Sequence, residues 1–196
     1  MVVDVNSKHI NRRILLVSAI RSRDGLHLQT ILDLNPDIHQ RCRKDRTPLM
    51  HAVEVEFDIT VRRLIDKGAE VNGTTHSKST ALHQAASKGS TNMIDFLLRK
   101  GSDVSVRDNN GWGVLHYAVQ SLAVDVLKVL FHQNERGRID LNSRCPAGKT
   151  ALHFAAESAS LDPAVILLEN GADIEASDFS TRKRTPLHLA MSKAPT

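Results

Sequence analysis

The chain has 196 residues, and its ten histidines are the first place to look for chemistry. Four of them repeat a pattern: His83, His116, His153 and His188 each directly follow a leucine, at Leu82, Leu115, Leu152 and Leu187. Metal ligands must converge to about 2 Å from one ion, whereas histidines met once per 33, 37 and 35 residues are strung along the chain. No metal and no cofactor is expected from them. Gly148-Lys149-Thr150 imitates the end of a phosphate-binding loop, but the first glycine of that loop would fall at Ser143. No Ser, Cys or carboxylate pair stands at a telling distance from a base, so no catalytic residue is predicted and the chain reads as non-enzymatic. Cys42 and Cys145 each precede a recurring leucine by seven positions. At about 8–10 Å per stacked helix layer they are on the order of 25–30 Å apart, far beyond the roughly 7 Å that a disulfide spans. Two free thiols in a reducing compartment are expected.

The elements that carry these residues follow from the same register. Leucines at 16, 49, 82, 115, 152 and 187 are each followed three positions later by alanine, at 19, 52, 85, 118, 155 and 190. In the most regular copy, Ser79 to Gly89, Thr80 is suited to cap a helix with its hydroxyl, while Pro48 and Pro186 in sister copies suit a first helical turn. Leu82, Ala85 and Ala86 form one apolar face, and Gly89 supplies a left-handed stop. A second helix follows through Ile94, Leu97 and Leu98, ended by Gly101 and anchored beyond by Val104. Arg107 to Gly111, rich in Asp, Asn and Gly, reads as the tip of a β-turn finger. Thr47-Pro48-Leu49, Thr80-Ala81-Leu82-His83, Val114-Leu115-His116, Thr150-Ala151-Leu152-His153 and Thr185-Pro186-Leu187-His188 are five copies of one motif. A period near 33 on T-P-L-H-x-A is an ankyrin signature, and the chain resembles the ankyrin-repeat family from about residue 10 to its end. That resemblance implies an all-α solenoid of stacked helix-turn-helix units with β-turn fingers. It also implies that the repeated histidines bond to the backbone of adjoining fingers, and that the chain binds proteins.

The expected organisation is an extension over 1–9 followed by an array over 10–196, with repeats near 10–42, 43–75, 76–108, 109–145, 146–180 and an incomplete 181–196. In the first repeat Leu16, Ala19, Leu28, Ile31, Leu32 and Ile38 take core positions, Asn35 replaces the helix-ending glycine, and Arg12, Arg13, Arg21 and Arg23 suit an outer capping face. Leu64, Ile65, Gly68 and Val71 fill the second repeat, and Leu127, Leu130 and Phe131 the fourth. Asn134 stands where a glycine would, and four residues are added within 134–140. The fifth repeat is expected to cap its second helix with Asp162 ahead of Pro163, and to close at Gly171 and Ile174. Its finger, Ser177 to Arg184, is two residues longer than the others. The sixth has only a first helix, which leaves an apolar face. That face reads as a fragment of a longer array, or as an end covered by something else.

A formal charge of +4 is too small to demand a nucleic-acid partner. No apolar run approaches the roughly 20 residues that span a bilayer, and the first residues lack a secretory pattern, so cytoplasmic or nuclear residence is expected without membrane insertion. Ankyrin arrays present finger tips and first helices on one concave surface. By that resemblance the partner-binding candidates are Arg43, Lys44 and Arg46, then His76, Ser77 and Ser79, then Asn109, Asn110 and Trp112, then Lys149, and finally Arg182, Lys183 and Arg184. Trp112 is the only tryptophan; it is either an exposed anchor of the kind in which interface energy concentrates, or packed on a neighbouring finger. An aromatic anchor between basic ends suits an extended protein segment carrying acidic residues. Leu64 followed by Glu70-Val71-Asn72 is similar to the asparagine-hydroxylation context of ankyrin repeats, which makes Asn72 a modification candidate. Two other readings stand beside a protein-binding scaffold or adaptor. One is a nucleic-acid or transcription-complex factor using Arg41, Arg43, Lys44 and Arg46; the other is the ankyrin portion of a larger adaptor or enzyme. No small-molecule substrate is expected.

Overall fold

The computed structural model describes residues 9–42, 44–133, 139–158 and 160–193, with backbone alone for 9–14 and 193. Arg43 and Asn134, both singled out above, lie outside the described residues, as does most of the insertion at 134–140. Within the described residues the secondary structure is helical, without strands. First helices are α1 (His9–Ser22), α3 (Pro48–Glu54), α5 (Ala81–Lys88), α7 (Val114–Gln120), α9 (Ala151–Glu157) and α11 (Pro186–Lys193). Second helices are α2 (Gly25–Asp33), α4 (Asp58–Asp66), α6 (Thr91–Arg99), α8 (Val124–His132) and α10 (Leu161–Glu169). Each first helix packs on the next, from α1 through α11, and on its own second helix.

Short helices need defined ends, because seven to nine residues are too few to hold a helix by propensity alone. Thr47 caps α3 by accepting from the Met50 N–H, with Pro48 in the first turn. Thr80 caps α5 by accepting from the His83 N–H, while His83 Nδ1 accepts from the Thr80 N–H at 3.1 Å. The left-handed stop at Gly89 has φ 72°, and Asn35 takes the same region at φ 49°.

Two rows of side chains build the core. Leu16, Leu49, Leu82, Leu115 and Leu152 are at most 3% exposed, and Ala19, Ala52, Ala85, Ala118 and Ala155 at most 4%. The alanines let first helices approach closely; the second row, Leu32, Leu64, Leu97, Leu130 and Leu167, seals the other side. Each such leucine contributes about 1.5–3 kcal/mol by leaving water. The rows open at the C-terminal end of the described residues, where Leu168, Ile174, Leu187 and Met191 are exposed. Ile174, expected to close the fifth repeat, is therefore 46% open. A second correction concerns α10, whose N-cap is Ser160 rather than Asp162. Leu161 is already helical, so Asp162 sits inside the first turn, where its charge favours the helix N-terminus.

The fingers are built by one repeated bond pair. Main-chain N–H groups of Cys42, Thr75, Asp108, Cys145 and Asp178 donate across each finger to the carbonyls of Arg46, Ser79, Trp112, Lys149 and Arg184, at 2.9–3.0 Å. A left-handed residue turns each tip: Asp45, Lys78, Gly111, Gly148 and Lys183.

Candidate functional site

Between the first two fingers and the first helices lies an open groove of about 480 Å³. Lys44, Arg46, His76, Ser77 and Ser79 line it together with Met50, Gln84, Ser87 and Tyr117. Five of the residues expected on the concave face thus meet in one depression. Gln84 and Tyr117 occupy the variable position of the L-H-x-A motif, two after Leu82 and Leu115, and sequence reasoning passed over them because it attended to the fingers. Their signal was that this position changes type from copy to copy: His51, Gln84, Tyr117, Phe154.

The groove's charges are unequal in availability. Lys44 is exposed and has no ion pair among the described residues. Arg46 lies 2.9 Å from Glu54, which compensates it. Arg41 is held by Asp45 at 3.1 Å and reaches Glu70 at 3.9 Å, and it also donates to the Thr74 carbonyl. His76 Nδ1 lies 3.4 Å from Asp45. Ser77 exchanges a hydroxyl bond with Thr75 at 2.8 Å. The next finger is stitched to this one, because the Asn109 N–H donates to the Ser77 carbonyl at 2.8 Å and Asn109 Nδ2 to the His76 carbonyl at 2.9 Å.

The third finger is organised by Asp108, which is 6% exposed. Its Oδ1 accepts the Asn110 and Trp112 N–H groups at 2.9 and 2.8 Å, and its Oδ2 accepts the Tyr117 hydroxyl at 2.7 Å. Burial, together with the Asp108 carboxylate, pushes the Tyr117 phenol up, so it stays a donor. Trp112 is half-buried. Its ring meets Phe154 edge-on at 5.0 Å and Tyr117 at 5.4 Å, and stacks on His116 at 6.0 Å. Local packing on its own and the following first helix is therefore the surrounding of the lone tryptophan, because Tyr117 and Phe154 supply aromatic edges at the variable positions.

Farther along, Lys149 is paired with Glu157 at 2.6 Å, and Arg184 with buried Asp178 at 3.3 Å. Arg182 and Lys183 are exposed. Asn72 is exposed yet engaged: Nδ2 donates to the Gly101 carbonyl at 3.0 Å and Oδ1 accepts the Asp103 N–H at 2.8 Å, tying two successive repeats.

Three of the repeated histidines, His83, His116 and His153, are buried, whereas His188 is exposed and bonds only Thr185 among the described residues. His83 Nε2 bonds the Val106 carbonyl and His153 Nε2 the Arg184 carbonyl, each at 3.1 Å. Burial lowers the pKa of both. It takes His116 to about 4; the Lys149 carbonyl opposes that shift although Nε2 lacks a hydrogen bond of full geometry. Both cysteines are free. Among the described residues no group of three or more His, Cys, Asp or Glu is placed to hold a metal ion, and no helix is long and apolar enough to cross a membrane. What the site offers chemically is a hydroxyl-rich, one-sidedly basic groove beside an aromatic cluster.

The family model described as "Ankyrin repeats (3 copies)" matches residues 15–108, 49–143 and 100–178. The nuclear factor NF-kappa-B p105 subunit of Gallus gallus is 27% identical over 190 residues, which is 94% of this chain and 18% of the relative. The B-cell lymphoma 3 protein homolog of Mus musculus is 29% identical over 162 residues, covering 79% of this chain and 36% of the relative. Inversin of Mus musculus is 31% identical over 148 residues, covering 76% and 14%. The chain thus spans between about a seventh and about a third of the length of these relatives.

Proposed function

We propose that this chain, which belongs to the ankyrin-repeat family, acts as a non-enzymatic scaffold that holds an extended, acidic protein segment along its concave groove. Ankyrin repeats are protein–protein interaction modules; the segment's acidity and its path are the finer reading. One observation carries it. Lys44 stands exposed at the rim of a groove otherwise lined by Arg46, which Glu54 compensates, and by hydroxyls, imidazoles, Gln84, Met50 and the Tyr117 ring, so the free charge there is positive and suits a carboxylate. The segment runs from Lys44 past His76, Ser77 and Gln84 toward Trp112 and ends near Arg182 and Lys183. Trp112 contributes the exposed part of its ring as a flat wall. Residence in the cytoplasm or nucleus accords with this reading, and so does membership of a longer protein.

A nucleic-acid role finds less support, because Arg41 and Arg46 are compensated by Asp45, Glu70 and Glu54. Asn72 remains a hydroxylation candidate; modification would require its two bonds to Gly101 and Asp103 to open, and mass spectrometry of cellular protein reads the added oxygen.

The test is site-specific photocrosslinking from Gln84 in the groove and from exposed Arg63 on a second helix. Protein crosslinks formed from Gln84, absent from Arg63, and weakened by Lys44→Glu are expected. Crosslinks that form equally from both positions, or that ignore the charge reversal, refute the groove.

A further inference from the structure

A second feature of the first finger is independent of partner binding. Cys42 is half-buried, and its sulfur lies 3.4 Å from Nε2 of His51. The His51 side chain is 7% exposed, and its other nitrogen has no hydrogen bond but faces Glu54 Oε2 at 3.6 Å. Arg46 grips that carboxylate at 2.9 Å. An ionised carboxylate only accepts, so the imidazole proton belongs on Nδ1 and the bare Nε2 points at the sulfur. A cavity of about 20 Å³ adjoins the thiol, bounded by Leu16, Asp37, Gln40 and Pro48. That is room for one water-sized molecule.

We propose that Cys42 is an oxidant-sensitive thiol whose proton His51 accepts as the sulfur attacks hydrogen peroxide. The S–H proton passes to Nε2, the thiolate forms an S–O bond, and the O–O bond breaks. The departing hydroxide takes the proton back from the imidazolium and leaves as water. Sulfur is oxidised by two electrons to a sulfenic acid and the peroxide is reduced to water. Burial and then the Arg46 charge lower the His51 pKa, so the imidazole is neutral at neutral pH.

The chain holds its own control. Cys145 holds the matching finger position three repeats on, but the residue matching His51 there is Phe154, and Cys145 is 6% exposed. In the wild-type chain treated with hydrogen peroxide and trapped with dimedone, mass spectrometry is expected to find Cys42 labelled at least about tenfold faster than Cys145. His51→Phe, which copies the Phe154 position, is expected to slow Cys42 at least about fivefold while Cys145 stays protected. Should that variant unfold and expose Cys145, the wild type still decides. An activated thiol is labelled faster in the folded chain than in urea, whereas a merely half-covered one is labelled more slowly. Equal labelling of the two cysteines, an unchanged rate in a folded His51→Phe, or a folded rate below the urea rate each overturns the proposal.

Discussion

Asp108 offers the most quantitative test of how a finger is held. Asp108→Ala removes an acceptor that takes two main-chain N–H groups, the Asn110 side-chain amide and the Tyr117 hydroxyl. Hydrogen bonds to a charged acceptor contribute about 1.5–3 kcal/mol net, and a buried donor left alone costs about 1–3 kcal/mol. The four losses share one carboxylate, and Asn110, which supplies two of them, is exposed, so they do not add in full; a destabilisation of about 3–4 kcal/mol is expected. Asp108→Asn keeps one oxygen for both N–H groups and gives up charge assistance, an expected loss of about 1–2 kcal/mol. Urea unfolding is the assay. The single tryptophan, Trp112, reports the third finger by fluorescence, while circular dichroism reports every helix. With a urea slope of about 2–3 kcal/mol per molar, the alanine midpoint falls by about 1 M or more. Because repeats couple only to their neighbours, the fluorescence midpoint should fall further than the dichroism midpoint. An alanine variant within about 1 kcal/mol of wild type, or an asparagine variant as damaged as the alanine one, refutes the reasoning.

Gly148 has φ 77°, and a Cβ there would stand 2.5 Å from the Phe179 main-chain nitrogen; Gly148→Ala should therefore cost about 2 kcal/mol or more, against about 1 kcal/mol for Gly171→Ala, which shares the positive φ but has open space. Thermal melts of the two variants give the comparison. Acid should weaken the fold in two stages. Burial depresses the His116 pKa to about 4, so the unfolded chain binds the extra proton first, and the stabilisation present above about 6.5 is lost as pH falls toward 4. His116→Gln should flatten that part of a stability–pH curve at constant ionic strength. Asp178 belongs to the second stage. Burial alone would raise its pKa, but donors from Ser180 and Arg184 outweigh it and hold the carboxyl at about 2. Its contribution is present above about 4 and disappears as pH falls through about 2; a carbon-detected NMR titration of its carboxyl reads that directly.

Reading the register from Leu82 located the first and second helices, the stop at Gly89, the left-handed Asn35 and the apolar face on which Leu187 stands exposed. These were legible because helix ends and apolar rows are local: they depend on residues within one repeat and on one spacing. Asp162 was misjudged for an equally local reason, since the helix starts at Leu161 with Ser160 in the N-cap position, two residues earlier, and leaves the acid inside its first turn. The basic surface was the least legible part. Arg46, Lys149 and Arg184 look alike as letters, yet each meets a carboxylate, Glu54, Glu157 or Asp178, that only the folded finger brings within reach.

By itself, then, the order of residues determined a solenoid, its period and its protein-binding family, because each repeat encodes the same helix pair and stacking follows from two apolar rows. Tertiary structure decided which side chains remain available. It paired Arg41, Arg46, Arg99, Arg107 and Arg184 with carboxylates, tied Asn72 and Asn109 to neighbouring repeats, packed Trp112 against Tyr117 and Phe154, and set Cys42 against His51. Those outcomes depend on distances between successive layers, which the period implies, and on the partners each long side chain finds there, which it does not.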